Sequence, residues 1–285
     1  MLTNMLWPKL SAGDSFTMPQ GFLAVSSHPS SRLPIEEFHE WYEEEHIPLR
    51  LNHLKEFLSG ARYVSCQENE DRSVNDASWL ALYTVVSSVV FSSSSYQDLR
   101  INRSDRERDV MNRIEVLTRI TGEIIGTYLS GPGEEKTTGF KPGRPSGCIV
   151  THGINTRDVD KESEGDIINS WVSQVKLKVA KYRDIEEGWA RTLLVLVLES
   201  GVSRFGKNAE ADDKNRMPYF VVHGGLIQTF IVTDTEKCPE FKDRESAQGF
   251  SKQILEVADA GIEIGERTIW ELFKAYPCLA HNAGK

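Results

Sequence analysis

Ala61-Arg62-Tyr63-Val64-Ser65 is one of two related stretches that decide how this 285-residue chain folds. The second, Ala190-Arg191-Thr192-Leu193-Leu194, lies 129 positions later (190 − 61) and begins with the same two residues. Both have the β-branched and aromatic content of a strand. Trp41 and Trp171 precede them at nearly the same offset, 130 (171 − 41), on segments predicted to be helical. The chain therefore contains two copies of one structural unit.

The two copies also match near their ends, where the offset is larger. Arg119 corresponds to Arg267, which lies 148 positions later (267 − 119). This growing offset predicts an insertion in the second copy, at the polar stretch 201–217. Recurrent arginines and glutamates are expected to form structural pairs: Arg62 with Glu123, and Arg191 with Glu271.

Each copy is predicted to run strand, helix, strand, strand, helix, strand. The predicted elements of the first copy are Gly21–Ser27, Ile35–Phe57, Ala61–Gln67, Ser78–Val86, Tyr96–Thr118 and Ile120–Leu129. Those of the second are Gly147–Gly153, Gly165–Tyr182, Arg191–Glu199, Gly225–Thr233, Cys238–Ala260 and Glu263–Tyr276. The segment between the copies is rich in glycine, proline and charge, which is typical of a linker. We expect an N-terminal arm (1–20), a first repeat (21–130), a linker (131–146) and a second repeat (147–280).

This βαββαβ order is the ferredoxin-like arrangement, in which helices cover one face of an antiparallel sheet. The other face of each sheet needs a partner, and two copies in one chain can bury both faces against each other. The predicted fold class is therefore α+β, with two tandem ferredoxin-like repeats that form an intramolecular dimeric α/β barrel.

Composition excludes several classes of function. A formal net charge of −9 argues against a nucleic-acid partner, because phosphate binding needs a positive surface. No apolar run approaches the ~20 residues that span a bilayer, and the first 20 residues do not resemble a signal peptide. The four cysteines are widely separated, which is typical of reduced thiols. We expect a cytoplasmic protein without a membrane partner.

The stretch Trp41-Tyr42-Glu43-Glu44-Glu45-His46-Ile47-Pro48 carries the main candidate for chemistry. Pro48 is expected to stop the helix, which would place His46 in its last turn beside unpaired carbonyls. A group that titrates near neutral pH at such a position can be a general acid or base, or can simply cap its own helix. Most of the acid run fits a solvated helix face. Only Glu43 and Tyr42 have the spacing to share a face with His46.

The element order, together with Trp41-Tyr42-x3-His46-Ile47-Pro48, resembles the EthD-like branch of the dimeric α/β-barrel superfamily, and in particular the tandem proteins of fungi. The resemblance implies a small enzyme of secondary metabolism that uses a pocket inside the barrel and needs neither a metal nor an organic cofactor. It also implies phenolic, quinone or polyketide-like substrates. Related proteins carry out decarboxylation, cyclisation, isomerisation and cofactor-free oxygenation.

The second copy departs from this motif. Its equivalent stretch is Trp171-Val172-Ser173-Gln174-Val175-Lys176, which keeps the tryptophan but has lost the tyrosine, the acids and the histidine. We therefore expect the active pocket in the first half, with His46 catalytic and Tyr42 and Glu43 assisting. Aromatic and imidazole side chains at strand and helix positions are expected to bind substrate: His28, Trp79, Tyr83, Tyr63, His152 and Trp41.

The preferred function is a cofactor-independent lyase, cyclase or isomerase that acts on a small hydrophobic oxygenated substrate by acid/base chemistry. One alternative is a cofactor-free monooxygenase, or a haem-dependent relative with a histidine as axial ligand. The other is a non-catalytic binding or stress-responsive barrel. No metal site is predicted, because the motifs that would hold one are missing. The chain is expected to be a monomeric pseudo-dimer or a homodimer.

Overall fold

The computed structural model describes residues 18–66, 77–129, 137–156, 163–180, 189–207, 210–211, 217–226 and 262–281. Within these ranges, nine strands form one continuous antiparallel sheet, of which eight close into a barrel. The strands are β1 (Gly21–Pro29), β2 (Phe57–Ser65), β3 (Trp79–Val85), β4 (Ile114–Leu129), β5 (Ser146–Thr156), β6 (Trp189–Arg204), β7 (Glu210–Ala211), β8 (Tyr219–Leu226) and β9 (Ile262–Tyr276).

The barrel consists of two equivalent halves. The first half has the strand order β4-β1-β3-β2, and the second has the matching order β9-β5-β8-β6. The halves join twice, because β2 pairs with β9 and β4 pairs with β6. The tandem ferredoxin-like barrel predicted from the sequence is therefore confirmed. The strand β7 lies outside the closed ring and pairs only at the end of β6.

The seam between β4 and β6 requires a glycine. A Cβ atom at Gly122 would lie 2.3 Å from the carbonyl oxygen of Leu196 and 2.6 Å from the side chain of Val195. Any larger side chain would force the two strands apart, since backbone cannot give way as a flexible side chain can. The close approach that completes the barrel on this side depends on this position.

The helices cover the outside of the barrel. In the first half they are α1 (Ile35–Trp41), a π turn (Tyr42–His46), α2 (Ile47–Leu51), α3 (Ser94–Ile101) and α4 (Asp105–Arg113). In the second half the described helix is α5 (Glu164–Ala180). No helix within the described ranges is long and apolar enough to cross a membrane. Short 3₁₀ turns occupy Ser88–Ser92 and Leu279–His281.

The helix that carries the motif does not end before Pro48, contrary to the prediction. It passes through a π turn, in which the Ile47 N–H donates to the carbonyl of Tyr42, and continues as α2 to Leu51. Pro48 lies in the first turn of α2, where a missing N–H costs little. His46 is therefore inside the helical segment, and its carbonyl accepts a hydrogen bond from Arg50 Nη1 at 2.8 Å. The predicted interaction with a free helix end does not occur.

Other boundaries also differ from the prediction. The segment predicted as one helix, Tyr96–Thr118, is divided into α3 and α4, and its last residues begin β4. The predicted strand Gly225–Thr233 starts earlier, as β8, and its residues 227–233 lie outside the described ranges. The predicted helix Cys238–Ala260, residues 1–17 of the arm and residues 130–136 of the linker lie outside them as well.

Side chains pack in three clusters. The first helix layer lies between the first-half sheet and its helices, and includes Phe38, Trp41, Tyr42, Phe57 and Tyr83. The barrel interior holds a second cluster, with members such as Phe22, Tyr63, Phe140, Val195 and Trp270. The second helix layer packs α5 on the second-half sheet, through residues such as Trp171, Val172, Leu194 and Val221.

The two arginines matched by sequence lie on opposite sides of the barrel wall. Arg62 is in the first helix layer, whereas Arg191 lies 5.7 Å from the ring of Phe140 in the barrel interior. A bulge next to each residue changes which face of its strand the following side chains occupy. Residues that are 129 positions apart in the two copies therefore do not occupy equivalent places. The predicted partner of Arg62 is also different, because Glu123 accepts a hydrogen bond from Ser88 instead.

Candidate functional site

His46 lies in the first helix layer, on the outer side of the barrel wall. It is 8% exposed, and its imidazole packs against the rings of Trp41 and Tyr42 at centroid distances of 4.5 and 4.9 Å. The π turn produces this arrangement, because it inserts an extra residue into the turn and swings His46 onto the aromatic face. Single π turns within helices often occur at functional sites for this reason.

Glu107 on α4 is the partner of the imidazole. Its Oε1 lies 3.2 Å from His46 Nδ1, and Glu107 is 3% exposed. An ionised carboxylate can only accept a hydrogen bond, so Nδ1 carries the proton and Nε2 presents a lone pair. This carboxylate–imidazole arrangement orients a histidine to act as a base.

Glu107 was not predicted as a site residue, although the sequence before it has a recognisable pattern. Ser104-Asp105-Arg106-Glu107 has the pattern of a capping box, and the Glu107 N–H does donate to Ser104 Oγ at 2.9 Å. That pattern assigns the glutamate to the start of its own helix. Its carboxylate turns to His46 instead, 61 positions earlier in the chain, and no local pattern reveals such a contact.

The electrostatics favour a neutral imidazole. The pKa of His46 is lowered to about 4, chiefly by burial and then by the charge of Arg50, while the Glu107 carboxylate acts in the opposite direction. Burial alone would raise the pKa of Glu107, but its hydrogen bond to His46 and the nearby Arg50 and Arg103 lower it overall. At neutral pH the pair is therefore neutral His46 and ionised Glu107.

Several buried donors of the described residues in this layer have no hydrogen-bond partner, and two of them are on predicted site residues. Within the described part of the chain, neither Trp41 Nε1 nor the Tyr83 hydroxyl has a hydrogen-bond partner. Buried polar groups are normally paired, so each such group calls for an explanation. Burial raises the pKa of Tyr83 and that of Tyr42, so both hydroxyls stay protonated and can donate. No contact among the described residues accounts for these two unpaired donors.

Glu43 is not next to His46. It accepts hydrogen bonds from Lys274 and Tyr276 of β9, and its Oε1 lies 3.7 Å from Arg62 Nη1. Its predicted position assumed ordinary helical spacing, which the π turn changes. Glu43 therefore belongs to an ion cluster on the seam where β2 meets β9, and connects the motif helix to the other half of the chain.

Arg62 is the centre of that cluster. It is 1% exposed, its Nη2 bonds to His39 Nδ1 at 2.9 Å, and its guanidinium lies 4.0 Å from the ring of Tyr42 and 5.2 Å from that of Trp79. Burial and the adjacent Arg62 lower the pKa of His39 to about 4, so His39 is neutral and can accept this bond. Trp79 therefore packs on Arg62 rather than lining the barrel.

The remaining predicted site residues are dispersed. Tyr63 is inside the barrel, where its hydroxyl donates to the carbonyl of Ser146 at 3.0 Å. His28 Nδ1 lies 2.8 Å from Ser78 Oγ. The ring of His152 is in the second helix layer, with its Nε2 3.0 Å from His223 Nε2. The structure thus brings His46, Tyr42, Trp41, Tyr83 and Trp79 into one layer. Glu43 lies on the seam between β2 and β9, and His28, Tyr63 and His152 lie elsewhere.

A cavity of about 310 Å³ lies inside the barrel. Its lining includes Ala24, Leu80, Thr151 and Trp270, from strands of both halves. Trp79 and Tyr83, predicted to bind substrate in a pocket inside the barrel, lie on the strand face that points to the helices, since Ala81, Tyr83 and Val85 belong to the first helix layer. The barrel wall therefore separates His46 from this cavity, whereas the sequence predicted the two together.

Comparison with known proteins gives likeness of overall fold. No family model matches the chain, and no curated protein matches it. Among solved structures, an anthrone oxidase-like protein is 10% identical with a TM-score of 0.49, covering 94% of this chain and 95% of that one. Chlorite dismutase from Candidatus Nitrospira defluvii, in complex with imidazole, is 8% identical with a TM-score of 0.49, covering 93% and 95%. The strand order described above, independently of these comparisons, shows that the chain folds as two ferredoxin-like repeats in one closed barrel.

Proposed function

We propose that the chain is a cofactor-independent enzyme that moves a proton on an oxygenated aromatic or polyketide-derived substrate, with His46 as its acid/base group. The observation that carries this proposal is the pairing of a buried neutral His46 with Glu107, in a layer where Trp41 and Tyr83 have unused donors. Such chemistry needs three parts: a base, a group that orients the base, and hydrogen-bond donors for the negative charge that develops on the substrate.

The proposed step begins with the lone pair on His46 Nε2. This nitrogen takes a proton from a carbon next to a carbonyl, or from a phenol, and the electron pair moves onto the substrate oxygen as an enolate or phenolate. The Trp41 N–H and the Tyr83 O–H donate to that oxygen. Glu107 stabilises the imidazolium through Nδ1, and His46 then returns the proton to another atom of the same substrate.

The low pKa of His46 narrows the class of reaction. With a pKa of about 4, keeping the proton at pH 7 costs about 4 kcal/mol. The imidazole therefore returns its proton quickly, which suits an isomerisation or a cyclisation, where the proton goes back to the substrate. A base this weak also requires acidic substrates, such as phenols and carbons between two carbonyls, and donors that stabilise the anion that forms.

Substrate needs a route to this buried group. The His46 side chain keeps 11% of its surface exposed beside α4, so the imidazole is in contact with solvent at one edge. The flanking rings of Trp41 and Tyr42 are 0% and 2% exposed and pack against the imidazole, so a substrate would contact them only where the helix layer opens at this edge.

The test is proton exchange with solvent deuterium. A panel of phenols, quinones and aromatic β-diketones is incubated with the protein in D2O, and loss of C–H signals is followed by NMR. His46→Ala should reduce the exchange rate by about 10²-fold or more, and Glu107→Gln should produce a comparable loss. His53→Ala removes an exposed histidine on the turn after α2 and is the matched control. Lys176→Ala should also change the rate little. Full activity in the His46 variant would overturn the proposal.

Three other functions are candidates. A cofactor-free monooxygenase would use the same base to form a substrate anion that reacts with oxygen, and product analysis would distinguish it by an added oxygen atom. A haem-dependent relative would develop a strong visible absorption band when haem is added. A purely binding role is favoured by the barrel cavity, and would be indicated by ligand binding without turnover.

A further inference from the structure

Three arginines in the region of His46 and α4, namely Arg50, Arg100 and Arg103, form no ion pair within the described ranges. The arginines of α4 itself are each paired with a carboxylate: Arg106 with Glu44, Arg108 with Asp105 and Arg113 with Glu37. Carboxylates are not scarce, because the chain has nine more acidic than basic residues (42 − 33). The three arginines without an ion pair therefore call for an explanation.

Arg50 is the most buried of the three. It is 6% exposed, and its one side-chain hydrogen bond among the described residues runs from Nη1 to the His46 carbonyl at 2.8 Å. A buried arginine normally has a carboxylate partner, because it is costly to desolvate a charge without one. The other N–H groups of Arg50 are not among the donors enclosed without a partner, so they reach solvent. They can therefore bind a group that arrives from outside, one helical turn from His46.

Arg100 and Arg103 bring two more charges to this place. Arg100 lies in the last turn of α3, and Arg103 is partly buried on the turn just before α4. The pKa of Arg103 is lowered chiefly by burial, the charge of Glu107 acts in the opposite direction, and the charges of Arg100 and Arg50 lower it as well. The three guanidiniums thus lie within range of one another's charge. The carboxylate nearest to them in effect, Glu107, is directed at His46 instead.

A carboxylate is the ligand that suits this cluster. A guanidinium holds a carboxylate through two parallel N–H···O bonds, and such charge-assisted bonds are stronger at a partly buried site than in water. A doubly charged phosphate fits less well, because the buried Glu107 carboxylate would repel it more strongly than a singly charged group. A carboxylate bound by Arg50 would also lie beside His46, since the two residues are four positions apart on one helical segment.

An anion at this place would also strengthen the proposed base. The charge of Arg50 is the second cause, after burial, that lowers the pKa of His46. A carboxylate that pairs with Arg50 offsets this charge, and its own negative charge favours the imidazolium. His46 would therefore be a stronger base when the carboxylate is bound than when it is not.

We infer that Arg50, Arg100 and Arg103 form an anion-binding subsite beside the proposed base, and that this subsite takes a carboxylate group of the substrate. The substrate class is thereby narrowed to oxygenated aromatic or polyketide-derived acids. The inference rests on the proposed function only where it calls the ligand a substrate, because the cluster binds a carboxylate whether or not His46 moves a proton.

The experiment compares salicylate with salicylamide by titration calorimetry. The two probes share a ring and a hydroxyl, but only salicylate is charged, so salicylate should bind about tenfold or more tightly. Arg103→Gln should weaken salicylate binding about tenfold and leave salicylamide binding unchanged, and Arg100→Gln should act in the same direction. Arg50 is left intact because it also holds the His46 carbonyl. Arg106→Gln is the matched control, since it removes an arginine that is already paired, and it should change neither affinity.

Inorganic phosphate separates a substrate carboxylate from a free anion. If phosphate binds as tightly as salicylate and displaces it, the site serves a free anion and the inference is wrong. Equal binding of the two probes, or no binding of either, would also overturn it. So would unchanged salicylate binding in both Arg103→Gln and Arg100→Gln when circular dichroism shows them folded.

The same measurements distinguish this inference from the proposed function. His46→Ala should keep the preference for salicylate, because the arginines remain in place. Preference for salicylate in an unmodified chain that exchanges no protons would refute the proposed function alone. Proton exchange that depends on His46, without any preference for salicylate, would refute the carboxylate subsite alone.

Discussion

The neutral state of His46 predicts how the stability of the protein depends on pH. An unfolded chain protonates this histidine at its ordinary pKa of 6.5, whereas burial lowers the pKa to about 4 in the folded protein. Between these values the unfolded state binds more protons than the folded state, so stability rises with pH across this window and falls on acidification. Replacing His46 by glutamine, which cannot titrate, should remove this contribution.

The size of this change in the free energy of unfolding follows from the folded and unfolded pKa values of His46. At pH 7 the histidine is mostly neutral in both states and contributes little. At pH 5 it is charged in most unfolded molecules and still neutral in most folded ones, which lowers the free energy of unfolding by about 2 kcal/mol relative to pH 7. The full effect, reached below pH 4, is about 3 kcal/mol. Such changes are a large fraction of a typical stability of ~5–15 kcal/mol.

Urea unfolding at pH 7 and pH 5 measures this difference. Between pH 7 and pH 5, the unmodified chain and His46→Gln both lose some free energy of unfolding. The loss should be about 2 kcal/mol smaller for His46→Gln than for the unmodified chain. His53→Gln should behave like the unmodified chain, since His53 is exposed. If His46→Gln loses as much stability on acidification as the unmodified chain, His46 is not a buried neutral imidazole, and the basis for its role as a base is removed.

Further substitutions test the unused donors and the barrel seam. Tyr83→Phe should change stability by less than about 0.5 kcal/mol in urea unfolding, because no hydrogen bond is lost, yet it should slow proton exchange. Tyr63→Phe, its matched control, should cost about 1–2 kcal/mol because it leaves the Ser146 carbonyl unpaired, and equal costs for the two variants would contradict the assignment. Gly122→Ala should lower stability by about 1–3 kcal/mol, since its Cβ would meet the Leu196 carbonyl, and an unchanged urea midpoint would show that the seam adjusts freely.

The fold could be predicted because its information is repeated along the chain. Two copies with the same order of elements, and sheets that each need a covered face, leave few arrangements other than a closed barrel. The helix break was mispredicted because Pro48 follows a π turn, which sequence spacing does not reveal. Likewise, Ile114 and Leu117 have helical spacing but lie at the start of β4.

The candidate site was harder to predict than the fold. One face of the strand Trp79–Val85 packs against the helices and the other lines the barrel interior, so both faces are apolar. The strand therefore has no alternation of polar and apolar residues that would show which side Tyr83 occupies. The motif identified His46 but not Glu107, because their contact depends on how α4 packs on the motif helix. Separation of the cavity from the histidine also depends on packing, since the cavity forms only where strands of both halves meet.

The pairing of a first-half strand with a strand from the end of the chain has a consequence for biosynthesis. One neighbour of β2 is β9, with Gly60 opposite Tyr276, a separation of 216 positions (276 − 60). At ~5–20 residues per second, a ribosome needs about 10–40 s to synthesise the intervening chain. Throughout that interval the edge of β2 has no native partner, and unpaired edges recruit other strands. The same closure that removes every edge from the finished barrel thus leaves an edge of the nascent first half open to other strands until the last strand emerges.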